Sequence, residues 1–173
     1  TLADRYRVQS LQGTGSQDST VWLALQLSVD RPVAIKLMPI NKEVARQRFA
    51  RGAKLASMLN HPNITTVHDY GETDDDHVYM VMELLVGRTL REEVEGGKPI
   101  PLDRSLHIIS QVLRALEEAH SFQVVHRDLK PDNLYLCPRQ GDRDFVKVLD
   151  FGIAKEMGAG ATRTGTGMGT VDY

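Results

Sequence analysis

The sequence predicts an α+β fold arranged as two lobes, and two observations carry that expectation. The first third is a succession of β-branched and aromatic runs separated by turn residues, whereas the second half is led by one long stretch with apolar residues at helical spacing. The 173 residues are 41% hydrophobic and 25% charged with a net charge of -2, the profile of a folded globular domain rather than a disordered chain. No apolar run approaches the roughly 18 residues needed to cross a bilayer, and residues 1–6 hold no leader-like apolar core, so no membrane segment is expected in this chain. The single cysteine, Cys137, forms no internal disulfide, and no Cys/His cluster has zinc spacing. Both features point to a cytoplasmic setting.

Strands are expected at 6–11, 20–27 and 32–38, broken by Gly13-Thr14-Gly15 and by Asp30-Arg31-Pro32. From 41 to 59 the pattern turns helical, with Val44, Phe49, Ala53, Ala56 and Leu59 recurring until His61-Pro62-Asn63 ends it. Strands at 64–70 and 77–83 follow, joined by an acidic run at 72–76 that reads as a solvated hairpin tip. A long amphipathic helix over 102–122 places Leu106, Ile109, Leu113, Leu116 and Ala119 on one stripe. Short strands are expected at 124–125, 134–137 and 146–149, and the Gly- and Thr-rich residues 158–170 read as a loop. The change from strands to helix puts a seam near 84–88.

Three motifs carry the chemistry. Val33-Ala34-Ile35-Lys36 sits in the third strand, His126-Arg127-Asp128-Leu129-Lys130-Pro131-Asp132-Asn133 follows the long helix, and Asp150-Phe151-Gly152 follows a short strand. Any one alone is a weak signal. All three, in this order and in these contexts, match the signature set of protein kinases. The chain resembles the bacterial serine/threonine kinases of eukaryotic type over nearly all its length, and the stretch from His126 to Lys155 is particularly similar to those of myxobacteria. The resemblance implies a protein-kinase-like two-lobed fold: an antiparallel N-lobe sheet with one helix at 1–83, a hinge at 84–88, and a truncated helical C-lobe at 89–173 ending in the activation segment. It also implies transfer of the γ-phosphate of ATP to serine or threonine hydroxyls of a protein substrate, with Mg²⁺ as cofactor and no nucleic-acid partner.

Phosphoryl transfer asks a protein for positioning and charge stabilisation more than for covalent chemistry. By resemblance, Asp128 accepts the proton of the substrate hydroxyl and Lys130 neutralises the transferring phosphate. Lys36 reaches the α- and β-phosphates, and Asn133 and Asp150 hold Mg²⁺ through hard oxygen donors. Gly13, Thr14 and Gly15 belong to the loop over the phosphates. Val21, Ala34 and Tyr135 sandwich the adenine, Met82 is the gatekeeper, and the backbone of Glu83 and Leu85 reads the adenine edge. Thr162, Thr164 and Thr166 are candidate phosphosites, where a phosphate of about -1.5 to -2 charge would pair with Arg127. A homodimer is the arrangement in which one chain would modify the other's activation segment. Gly169-Thr170 resembles the substrate-docking turn, with Thr170 bridging Asp128 and Lys130 and Val171 standing where proline is usual.

The chain also departs from the family. Counting from Gly13, the third glycine of the phosphate loop is replaced by Asp18 and the following valine, Val21, comes one residue late, whereas counting back from Val21 puts Thr14, Ser16 and Ser19 at the three positions. The helix after the third strand, which in the family carries a glutamate nine residues before the His of His-Pro-Asn, has Gly52 there. Lys36 is therefore expected to pair mainly with Asp150. Lys42, Arg46, Arg48, Arg51 and Lys54 make the helix basic, either as a solvated face or as a dock for an acidic partner. The sequence stops at Tyr173, before the family's Ala-Pro-Glu motif, which predicts a longer natural protein and a long helix whose apolar stripe has little to cover it. The rival reading is a pseudokinase that binds nucleotide or partners without transferring phosphate. A small-molecule phosphotransferase is disfavoured by Lys130-Pro131 and Gly169-Thr170.

Overall fold

The computed structural model describes residues 1–15, 18–40, 43–95, 97 and 99–151. They divide into two compact units, Thr1–Ser57 with Thr66–Leu84, and Met58–Thr65 with the chain from Leu85 onward. The first unit is a five-stranded antiparallel sheet in the order β1-β2-β3-β5-β4, with one helix. Its strands are β1 (Tyr6–Thr14), β2 (Thr20–Gln26), β3 (Arg31–Pro39), β4 (Val67–Glu72) and β5 (His77–Glu83), and the helix α1 (Glu43–Met58) lies between β3 and β4.

Alternation along the strands gives this sheet two distinct faces. One carries the buried cluster of Tyr6, Ala24, Val33, Ile35, Tyr79 and Val81. Its polar rim is closed by Asp69, which accepts from the Tyr6 hydroxyl at 2.7 Å and pairs with Arg5 at 2.8 Å. Burial, with that hydrogen bond next in weight, pushes the Tyr6 phenol up to about 12. The acidic side chains at 72–76 are exposed on the expected hairpin tip, and some of them also have partners. Glu72 and Asp76 both accept from Arg46 of α1, and Asp75 accepts from Thr73 Oγ1 at 2.5 Å. The spacing reading missed this because the partner lies far away in sequence.

The second unit holds a three-stranded sheet, β6 (Arg88–Thr89), β7 (Leu134–Leu136) and β8 (Val146–Val148), with helices α2 (Leu90–Glu95) and α3 (Leu102–Ser121) and a 3₁₀ turn at Pro131–Asn133. Val124 and Val125 form no strand. Gln123 is left-handed at φ 59°, and Val124 N donates back to Ala119 O at 2.9 Å, so these residues close the end of α3.

The apolar stripe of α3 is largely uncovered, as expected, and a different side of the helix is buried. Ile108, Gln111, Val112, Ala115 and Ala119 are buried, whereas Leu106, Ile109 and Leu113 are 61%, 49% and 59% exposed, so most of the expected stripe is uncovered among the described residues. Gln111 sits inside because every polar atom it buries is satisfied. Its Oε1 accepts from Asn63 Nδ2 and from Val146 N, both at 2.9 Å, and its Nε2 donates to Asp144 O at 2.8 Å.

A charged clasp closes the far side of this unit. Arg104 of α3 donates through Nε and Nη2 to Asp144, at 2.8 and 2.7 Å, and through Nη1 to Glu93 of α2. Hydrogen bonds from Arg104 hold both carboxylates below their ordinary values of 3.8 and 4.5. Such depressed groups contribute stability above the unfolded value and lose it as the pH falls through the folded one. We expect Arg104→Met to cost about 2–3 kcal/mol at neutral pH, the scale of lost charged hydrogen bonds. Thermal unfolding should show that deficit shrinking below about pH 4.5, where the clasp stops contributing in the parent protein as well.

Candidate active site

Register in the first unit places the expected nucleotide residues together. Val21 pairs with Lys36, Ala34 with Met82, and Lys36 with Met80. Directly paired residues and those two apart share a face, so Val21, Ala34, Lys36 and Met82 lie side by side, opposite the face sealed by Val33 and Ile35. Lys36 is buried, at 8% exposure. Glu83 is tied back to the start of β4: its Oε1 accepts from Thr66 N at 2.7 Å and its own N–H donates to Thr66 O at 3.0 Å.

The glycine turn caps the β1-β2 hairpin. Gly13 pairs with Val21 and Thr14 with Thr20, and Gly15 N donates to Ser19 O at 2.7 Å. β1 takes up an extra residue at two bulges, between Val8 and Ser10 and between Leu11 and Gly13, and the second adjoins the turn. A side chain on Gly13 would meet nothing within 4 Å, so this position is open to close approach.

In the second unit the loop between α3 and β7 is fixed by its own side chains. His126 is buried, with its ring 4.8 Å from that of Phe151. Its Nδ1 accepts from Asp128 N at 3.3 Å, which assigns the proton to Nε2, 2.7 Å from Leu149 O. Burial lowers the pKa of His126 and favours this neutral form. One imidazole thus ties the Asp128 loop to the strand end that leads into Asp150.

Asn133 completes the lock. Its Nδ2 donates to Asp128 O at 2.7 Å and lies 3.3 Å from Asp128 Oδ2, while Leu149 N donates to Asn133 O at 2.9 Å. Lys130 Nζ stands 3.4 Å from the same Asp128 oxygen. The carboxylate and the ammonium are 20% and 23% exposed, so both are reachable from solvent. Arg127 and Asp150 hold left-handed backbone at φ 62° and 53°, strain that concentrates at the two ends of this constellation. Tyr135 Oη donates to Gly87 O at 3.1 Å, and Leu85, partly buried, begins the second segment of the second unit. Gly152, Thr162, Thr164, Thr166, Gly169, Thr170 and Val171 lie outside the described residues, as does Lys42.

Three contributors escaped the sequence reading. Gln111 and Asn63 hold β8, the strand that leads to Asp150, because Asn63 Nδ2 also donates to Val146 O at 2.8 Å. Arg91 of α2 pairs with Asp132 at 3.5 Å and steadies the loop from outside. The Asn63 of His61-Pro62-Asn63 was visible as a helix stop, but its partner Gln111 lay on a helix read only for its apolar residues.

The family model "Protein kinase domain" matches residues 6–173. The serine/threonine-protein kinase pkn3 of Myxococcus xanthus is 42% identical over all of this chain, which covers 33% of that protein. The serine/threonine-protein kinase PrkC of Bacillus subtilis is 38% identical over 99% of the chain and 26% of its own length. The chain thus spans about a third of the length of the curated relatives it matches. A crystal structure of Rad53 1-466 in complex with AMP-PNP superposes with a TM-score of 0.74 at 30% identity, covering 86% of this chain and 38% of that one.

Proposed function

Because the chain belongs to the protein kinase family, we propose that it is the catalytic part of a protein that transfers the γ-phosphate of ATP to serine and threonine hydroxyls. The observation that carries this reading is the Asp128 constellation: a partly exposed carboxylate oriented by Asn133, with Lys130 at 3.4 Å. Asp128 would accept the hydroxyl proton as the oxygen attacks, and Lys130 would offset charge on the transferring group. Lys36, buried on the face that also carries Val21, Ala34 and Met82, would bind the nucleotide's phosphates. The Rad53 neighbour's AMP-PNP complex supports a nucleotide of this class.

The residues fit Mg²⁺. The Nδ2 of Asn133 is engaged by Asp128, which leaves its Oδ1 as a hard donor, and Asp150 adds a carboxylate. When bound, the ion would neutralise phosphate oxygens and so lower the barrier to transfer. Among the described residues no helix is long and apolar enough to cross a membrane.

The test is to incubate the full-length protein with Mg-ATP and a generic basic protein and to identify the phosphorylated residues. Phosphoserine and phosphothreonine are expected, and phosphotyrosine alone would contradict the assignment. Gly52 and the altered glycine loop, with Asp18 at its third glycine position, favour the second reading, a nucleotide-binding module without transfer.

A further inference from the structure

Helix α1 packs on the same face of the sheet as Lys36. Tyr70 pairs with Met80, and Met80 pairs with Lys36, so the three share a face. Phe49 of α1 meets Tyr70 edge-on, with centroids 6.5 Å apart and planes at 77°. One turn earlier, Arg46 bridges two acceptors, donating from Nη1 to Glu72 at 2.8 Å and from Nη2 to Asp76.

Those acceptors sit on a hairpin tip that is built independently of the helix. Thr73 N donates to His77 O at 2.9 Å, and His77 N donates to Thr73 Oγ1 at 3.2 Å. Asp76 turns the chain at φ 59°, and its carbonyl accepts from Ile40 N at 2.8 Å, which ties the tip to the end of β3. The strand that carries Lys36 and the tip that holds Arg46 are therefore linked through backbone.

Further along α1, position 52 lies three residues past Phe49 and four before Ala56, on the buried stripe of the helix. In protein kinases a glutamate on this helix pairs with the strand lysine, and the position of the helix controls activity. Gly52 has no carboxylate to offer. The polar anchor of α1 lies instead in its first half, at Arg46, while Phe49, Ala53 and Ala56 bury its inner side.

We propose that Arg46 is the positioning residue of this domain: its bridge to Glu72 and Asp76 sets where α1 sits over the Lys36 face, the task a helix glutamate performs elsewhere in the family. The inference rests on the kinase reading above. Exposed ion pairs add little to stability, so the effect belongs in catalysis rather than in melting.

The experiment uses the full-length protein with Arg46→Gln, the acceptor-side pair Glu72→Gln with Asp76→Asn, and Arg46→Gln combined with Gly52→Glu. Steady-state transfer gives kcat and the KM for ATP, and amide hydrogen exchange reports on residues 43–58. Arg46→Gln and the acceptor-side pair should each lower kcat by about threefold to fivefold, the population shift that losing a partly exposed ion-pair bridge allows, and speed exchange in the helix. Adding Gly52→Glu should recover most of the lost kcat, because a carboxylate at 52 re-anchors the helix from the lysine side. Unchanged kcat in Arg46→Gln, with or without faster exchange, overturns the proposal. Faster exchange in a protein whose parent form transfers no phosphate overturns the kinase reading and the catalytic role of Arg46 with it, while leaving its hold on the helix in place.

Discussion

Gly87→Ala is expected to destabilise the second unit by about 3 kcal/mol or more, among the largest effects of any single substitution in the chain. Gly87 has φ 154°, and a Cβ built on it falls 1.9 Å from Leu136 O and 3.2 Å from Cys137 Cα. Both are backbone atoms of β7 or the residue after it, so no rotamer change relieves the clash. Relief requires parting β6 from β7, whose register joins Arg88 to Leu136 and Thr89 to Tyr135. That movement would also break the bond from Tyr135 Oη to Gly87 O. The same β7 pairs with β8, the strand that leads to Asp150, so activity should fall together with stability. Soluble yield and the denaturation midpoint of the full-length protein read the effect, and an alanine variant that melts like the parent would show that the close approach does not exist.

Asp128→Asn is expected to lower phosphate transfer by about a hundredfold to ten-thousandfold, the range supplied by a positioned general base. The substitution is nearly isosteric. The bond from Asn133 Nδ2 to the backbone carbonyl at 128, and the bond from the 128 N–H to His126 Nδ1, do not involve the altered side chain. The fold and nucleotide binding should therefore persist while the proton acceptor is lost. Steady-state kinetics should show the loss in kcat with little change in the KM for ATP. A loss confined to KM would mean that Asp128 serves binding rather than proton transfer.

The parts of this account that were legible in the sequence are those written by local chemistry. The β3 lysine strand, the His126–Asn133 loop and the α3 helix each announce themselves within a short window, through β-branched alternation, a dense motif or helical spacing. The fold class and the kinase family followed from their order. What escaped depends on partners remote in sequence. Arg46 looked like one more charge on a basic helix until Glu72 and Asp76 came within reach of it.

The apolar stripe of α3 was expected to lack cover and does so among the described residues, but the side that is buried instead was not legible, because pattern reading ranks residues by apolarity. Gln111 enters the interior through hydrogen bonds to Asn63, Val146 and Asp144, and it carries Ile108, Val112 and Ala115 in with it. The two-residue β6 is too short to show any period, and it exists because Gly87 lets the chain lie against Leu136. Val124 and Val125 show the converse error. Their β-branched side chains suggested a strand, but the left-handed Gln123 and the bond back to Ala119 hold them at the end of the helix.

The central claim is that the oriented Asp128, with Lys130 and Asn133, catalyses phosphate transfer despite glycine at position 52. Its most direct test measures, in one preparation of the full-length protein, both Mg-ATP binding and γ-phosphate transfer, with Asp128→Asn alongside. The account predicts binding in both forms and transfer only in the parent. Binding in both with transfer in neither would contradict it and leave a nucleotide-binding regulatory module.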